Sequence, residues 1–253
     1  MVQSFRHTEI IEIARRDGKV TVEVLADHFG VTLQTIRRDL AELAQCGKLE
    51  RVHGGAVLPS GVSNIGYEER RGLYSESKRR IARACAAEIP EDTSLFLNIG
   101  TSTEAVAHEL LNHRNLLVVT NNMNIPRILV DNPDCDIVVA GGQLRRSDGG
   151  LIGKLTIDAV TQFKFPIAVI GCSALDEDGD MLDFDVQEVN VSQTIIKHSR
   201  KVFLVVDGSK LKRSAPARIA SISEVDVIFT DQPLPEALGN RCEEWGVRIV
   251  VAE

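Results

Sequence analysis

Between Gly30 and Gly47 the chain carries a helical hydrophobic period. At about 100° per residue, Ile36, Leu40 and Leu43 fall on one side and Gln34, Arg37, Arg38 and Ala41 on the other. Two shorter periodic stretches precede it. Arg6 to Asp17 sets Ile10, Ile11 and Ala14 on one face and runs into Gly18, a residue suited to a helix C-terminus. Val22 to Phe29 turns Leu25, Ala26 and Phe29 inward, with Thr21 placed to cap it, and Gly30-Val31-Thr32 leads tightly into the third helix. Three helices in this order, with a short turn before the third, predict a helix-turn-helix. The β-prone runs Leu49 to Val52 and Ala56 to Leu58, joined through His53-Gly54-Gly55, predict a hairpin wing in which glycine supplies positive φ.

The pattern then changes. Pro59-Ser60-Gly61-Val62-Ser63-Asn64 has no period and many structure-breaking residues, so a linker is expected over 59–76, between a DNA-reading domain at 1–58 and a larger domain at 77–253. Ser77 to Glu88 reads as a helix with Ile81, Ala82, Cys85 and Ala86 on one face. Its basic start, Lys78-Arg79-Arg80, is expected at the surface. Short apolar runs follow at Leu95–Leu97, Leu116–Thr120, Ile137–Ala140, Ile167–Ile170, Val202–Val206, Val227–Phe229 and Ile249–Val251, alternating with helical stretches. That alternation predicts a mostly parallel α/β sheet. The expected fold class is therefore α/β, an N-terminal winged helix-turn-helix followed by a mostly parallel α/β domain.

Composition narrows the partners. The 253 residues carry a formal charge of −7, yet the first 58 hold eight basic and eight acidic residues, so the whole excess lies in the larger domain. Attraction to phosphates must come from a focused patch. The recognition helix offers Thr32, Gln34, Thr35, Arg37 and Arg38, residue types that suit groove edges and phosphates, and the wing offers Lys48, Arg51, His53 and Gly54. No apolar run reaches the roughly 18 residues that span a bilayer, and the N-terminus lacks a signal-peptide core, so a cytoplasmic protein without membrane contact is expected. Cys46, Cys85, Cys135, Cys172 and Cys242 are widely separated, and the histidines are scattered, so neither a disulfide framework nor a metal centre is expected.

Ligands of open α/β sheets bind beyond the carboxyl ends of strands. Gly100-Thr101-Ser102-Thr103 follows the first run and opens a helix over Glu104–Leu111, aiming free amides at whatever binds. Asn121-Asn122, Gly141-Gly142 with Arg145 and Arg146 nearby, and Asp207-Gly208-Ser209-Lys210 follow later runs. Gly100, Thr101, Ser102, Thr103, Asn121, Gly142, Arg145 and Lys210 are the candidate contacts to an anionic polyol. Neither a P-loop nor a G-x-G-x-x-G is present, and Asp176 to Asp180 reads as an acidic turn, its glycine too early for an EF-hand.

These residues resemble the DeoR-type bacterial repressors over essentially the whole chain. The resemblance is carried by Val24, Leu25-Ala26, Phe29, Val31-Thr32 and Thr35-Ile36-Arg37-Arg38-Asp39-Leu40, then by Gly47, Leu49, Arg51 and His53-Gly54-Gly55-Ala56. In the larger domain it is carried by Gly100-Thr101, Glu104 to His108, Val119 to Asn122, Ala140 to Gly142 and Asp148 to Gly153. It implies double-stranded operator DNA as one partner and glycerol 3-phosphate, or a similar phosphorylated small molecule, as effector. It also implies a sensor related to ribose-5-phosphate isomerase and CoA-transferase folds, in which Gly100 to Thr103 and Lys210 contact the ligand. A homodimer or homotetramer is expected, with no cofactor, metal or catalytic group. One departure is Asn98, where relatives often carry aspartate. The competing expectation is a sugar-phosphate isomerase or hydrolase fused to a DNA-binding domain, using Asp183, Asp185, Glu188 and Lys210.

Overall fold

The computed structural model describes residues 2–17, 19–58, 64 and 66–253. The chain divides into two compact units. One takes the described residues through Leu58 with Glu68–Leu73, and the other takes Asn64, Gly66, Tyr67 and Tyr74–Glu253.

The first unit runs α1 (Val2–Asp17), β1 (Lys19–Thr21), α2 (Val22–Phe29), α3 (Leu33–Gln45), β2 (Glu50–Val52) and β3 (Gly55–Val57). The Thr21 side chain accepts a hydrogen bond from the Val24 amide to start α2, and Gly30 ends it at φ 60°. Ile10, Leu25, Ile36, Leu40, Leu43, Leu49 and Ala56 are buried together in its core. The wing forms, with a correction to its expected turn. His53-Gly54 makes the bend, Gly54 at φ 74°, while Gly55 lies in β3. A Cβ on Gly55 would sit 1.8 Å from the Val20 carbonyl oxygen, so this glycine serves a close approach to β1. β1 itself was not expected. Its three residues are too few to show a period, and it pairs antiparallel with β3 in the order β1-β3-β2.

Pro59 to Ser63, Ile65 and Gly18 lie outside the described residues. The described part of the expected linker span, against expectation, contains α4 (Tyr67–Gly72) and the start of α5 (Ser75–Ala86). The second unit continues β4 (Thr93–Leu97), α6 (Thr101–Glu109), β5 (Leu116–Thr120), α7 (Asn124–Leu129), β6 (Cys135–Val139), β7 (Gln143–Arg145), β8 (Gly150–Ile152), α8 (Lys154–Val160) and β9 (Phe165–Ile170). It closes with β10 (Ala174–Leu175), β11 (Asp180–Asp183), α9 (Val186–Lys197), β12 (Ser199–Val205), β13 (Ala217–Ser221), β14 (Val227–Thr230), α10 (Glu236–Glu244) and β15 (Arg248–Val251).

Seven of these strands form one parallel sheet in the order β15-β14-β12-β9-β4-β5-β6. Alternate residues of its central strands enter two apolar layers: Phe203, Val205 and Phe229 pack with α5 residues on one face, and Leu204, Val206 and Ile228 with α9 residues on the other. The chain builds outward from β4 in one direction and from β9 in the other. Between these two strands lies the point where a crevice is expected.

Candidate functional site

In the first unit the reading helix is set by its cap. Thr32 Oγ1 accepts from the Thr35 amide at 3.2 Å, and the two hydroxyls lie 2.9 Å apart. This leaves Thr32, Gln34, Arg37 and Arg38 exposed and Thr35 half-buried, with Arg38 Nε 3.9 Å from a Glu42 carboxylate oxygen. Lys48, Arg51, His53 and Gly54 are exposed on and beside the wing, and the Gly54 carbonyl accepts from the Val22 amide at 2.8 Å, tying the wing's tip to the start of α2.

Sequence reasoning missed Asp39. It is fully buried, with Arg6 Nε at 2.5 Å, Arg6 Nη2 at 3.1 Å and His7 Nε2 at 3.4 Å. Burial opposes its charge, but the bonds and field of Arg6, helped by His7, overcome this and hold its carboxyl below the usual range. The available signal was its spacing, since Asp39 falls on the stripe of Ile36, Leu40 and Leu43.

In the second unit the turns after β5, β4, β9 and β12 stand side by side at the carboxyl edge of the sheet. Gly100 takes φ 146° at the turn into α6. Thr103 Oγ1 donates to the carbonyls of Asn98 at 2.6 Å and Gly100 at 2.8 Å, bracing the turn. Half-buried Thr101 and Ser102 open the helix, whose first intrahelical bond is Glu104 N to Gly100 O, so the amides ahead of it have no carbonyl within the helix. Asn98 uses both ends of its amide, donating to Ser192 Oγ at 2.9 Å and accepting from the Ile99 amide at 2.7 Å. Buried Asn121 donates to the Leu151 carbonyl at 3.2 Å, and its Oδ1 is one of the few buried side-chain oxygens without a hydrogen bond among the described residues. Beside it Glu104 accepts from Tyr67 Oη at 2.8 Å, Asn122 Nδ2 at 2.9 Å and Asn124 Nδ2 at 3.0 Å.

After β12, Asp207 is buried and accepts from Ser209, and its Oδ2 also lacks a hydrogen bond. Burial works against its ionisation, but Lys210, Ser209 and Lys78 outweigh this and hold the carboxyl below its ordinary value. Lys78 corrects the surface expected for the start of α5: it is 6% exposed. Spacing again carried the signal, because Lys78 precedes Ile81 and Ala82 by three and four residues. After β9, burial pushes the Cys172 thiol up to about 12, so it stays protonated.

The other two sequence candidates, Gly142 and Arg145, lie beyond β6, where the β7–β8 hairpin runs against Asn121 and Asn122. Gly142, at φ 147°, approaches α8 so closely that a Cβ would lie 2.0 Å from Thr156 Oγ1, and Thr156 donates to the Gly141 carbonyl at 2.8 Å. Arg145 is enclosed by carboxylates, bonding Asp148 at 2.7 Å, Asp185 at 2.8 Å and Glu188 at 2.5 Å. Its guanidinium ties the β7–β8 hairpin to the start of α9, where the Asp185 side chain caps the helix. Asp183 accepts from Ser173 Oγ at 2.7 Å and from the Phe184 and Asp185 amides. In the acidic turn, Asp176 accepts from the Asp180 amide at 2.8 Å, closing the β10–β11 hairpin.

Burial, with Asp183 adding repulsion, pushes Glu188 up to about 7 despite Arg145. Its folded pKa lies above the ordinary value, so its contribution to stability is full below about 4.5 and is lost as the pH rises through about 7. Glu188→Gln, which mimics the protonated acid, is expected to raise the sensor's melting temperature at pH 8, by up to about 3 kcal/mol in stability. The gain should vanish by pH 5. Equal melting shifts at both values would show that the ionisation is not opposed.

A DeoR-like helix-turn-helix domain matches residues 6–62, and a DeoR C terminal sensor domain matches residues 74–232. The glycerol-3-phosphate regulon repressor of Escherichia coli (strain K12) is 48% identical over 93% of this chain and 93% of its own length. The protein of the same name from Haemophilus influenzae is 43% identical over 99% and 98%. The HTH-type transcriptional repressor CsqR of Escherichia coli is 36% identical over 98% and 95%. Among solved structures, ribose 5-phosphate isomerase A from Methanocaldococcus jannaschii matches with a TM-score of 0.41 and 12% identity over 54% of each chain. No helix among the described residues is long and apolar enough to cross a membrane. The chain, with a helix-turn-helix reader and a sensor sheet matched in turn, belongs to the DeoR family of transcriptional regulators.

Proposed function

We propose that this chain is an operator-binding repressor released by glycerol 3-phosphate or a closely similar phosphorylated polyol. The observation that carries the reading is the set of turns at the carboxyl edge of the sheet. Free helix amides at Gly100 to Thr103, Asn121, the lysines Lys78 and Lys210 and an ionised Asp207 suit a phosphate at one end and hydroxyls at the other. The relatives named as glycerol-3-phosphate regulon repressors support the same effector. Lys78 joins the expected contacts, while Arg145 and Gly142 act by holding the surrounding structure.

On the DNA side, Gln34, Arg37 and Arg38 face base edges, with Thr32, Thr35, Lys48, Arg51, His53 and Gly54 toward phosphates. A dimer or tetramer sets two reading helices in successive major grooves. The effector acts through its different affinity for operator-competent and incompetent states, typically about 1 to 3 kcal/mol of coupling. The enzymatic alternative is disfavoured by the occupations of its acids: Asp183 braces backbone amides, and Asp185 and Glu188 hold Arg145.

The experiment is a titration of a promoter duplex followed by fluorescence anisotropy, with glycerol 3-phosphate, ribose 5-phosphate and inorganic phosphate added in parallel. Release by glycerol 3-phosphate at the lowest concentration is expected, without turnover of any sugar phosphate. Binding that ignores all three sinks the reading. Arg38→Ala, at an exposed position, is expected to keep the fold and lose about tenfold or more in preference for operator over random DNA. Undiminished preference would remove Arg38 from the reading face.

A further inference from the structure

We propose that Leu33 is a specificity-determining residue of the DNA reader, its side chain packing on the 5-methyl group of a thymine in the major groove; this rests on the operator-binding reading above. The apolar stripe of α3 is complete without it. Ile36, Leu40 and Leu43 are at most 2% exposed, whereas Leu33, in the first turn of the same helix, is 42% exposed. Between Arg6 and Leu58 the other large apolar side chain left this open is Val24, 61% exposed and in the first turn of α2.

Both therefore stand at the threonine-capped N-termini of the helix-turn-helix pair, and the N-terminal residues of the second helix are the ones that meet base edges in this motif. Leu33 lies one turn before Arg37 on the exposed side and adjoins Gln34. Guanidinium and carboxamide groups read hydrogen-bonding edges. Thymine is the base that presents a methyl group in the major groove, and an apolar side chain among polar readers is complementary to it.

The test uses the full-length protein and an operator duplex selected from a random pool by that protein. Single thymines are then replaced by deoxyuridine, which deletes the methyl and keeps the hydrogen-bonding edge. One thymine in each half-site is expected at which this replacement weakens binding about fourfold, the worth of one buried methyl. Leu33→Ala, folded as judged by circular dichroism, should show a comparable loss on the unmodified duplex and no further loss on the deoxyuridine one. Val24→Ala should keep the parent's full sensitivity. Sequence-selective binding indifferent to every thymine methyl, or a Leu33→Ala protein as sensitive as its parent, overturns the proposal and leaves the operator reading standing. Failure to enrich any sequence overturns both.

Discussion

Asp39→Ala is expected to lower the melting temperature of the helix-turn-helix unit sharply and to weaken its DNA binding with it, while the sensor melts as before. The carboxylate is fully buried on α3 and is the anchor for Arg6 on α1, itself largely buried. Removing one partner of a buried pair leaves the other charge uncompensated, which costs about 3 kcal/mol or more. A unit of roughly 60 residues has about 3 to 9 kcal/mol in total, so at least about a third of its stability goes. Because the carboxyl is held below its ordinary value, the stabilisation is fully present above about pH 4 and is lost as the pH falls through the lowered value. Asp39→Asn should retain part of it, since the amide oxygen still accepts from Arg6. Wild-type melting and operator affinity in Asp39→Ala would refute the assignment of Asp39 as the tie between α1 and α3.

Lys78→Met should weaken glycerol 3-phosphate binding about a hundredfold, the worth of a desolvated charge-assisted contact of about 3 kcal/mol. Operator affinity without effector should stay within about twofold. Methionine keeps the apolar stem of this buried α5 residue, so the loss reports the ammonium group rather than a cavity. The same change takes away one of the cations that keep Asp207 ionised, and its carboxyl should titrate at higher pH than in the parent. Calorimetric titration of Lys78→Met beside Lys210→Ala would check this. An unchanged dissociation constant in Lys78→Met would place the phosphate elsewhere.

Much of the architecture was legible before folding because it is written in local periods. The stripe of Ile36, Leu40 and Leu43, the caps at Thr21 and Thr32, and the Leu116–Thr120 strand were all readable from neighbours within a turn or a pleat. The glycine-threonine turn after β4 was readable for the same reason, since a strand end followed by a helix start needs no distant partner. β1 was not, because three residues become a strand here only by pairing with β3 across more than thirty intervening positions.

The site divides along the same line. Lys78 and Asp39 are charged residues on apolar stripes, so periodicity locates them on the buried side but does not say what neutralises them. Arg145 shows the converse. In sequence it is a cation near a glycine turn, well suited to a phosphate, and the fold surrounds it with Asp185 and Glu188 from forty or more residues later.

By itself, then, the order of residues determined the helices of the reading unit, the apolar strands of the large sheet, and that a DNA-reading unit precedes an α/β unit, while α6 begins at Thr101 rather than at the expected Glu104. Tertiary structure alone decided the strand order that puts β4 beside β9, the burial of Lys78 within the field of Asp207, and the enclosure of Arg145. The reason is physical. Hydrogen bonding and hydrophobic periodicity act over a few residues, whereas the field at a charge is set by whichever side chains the packed chain brings within a few ångströms, and that distance has no counterpart along the sequence.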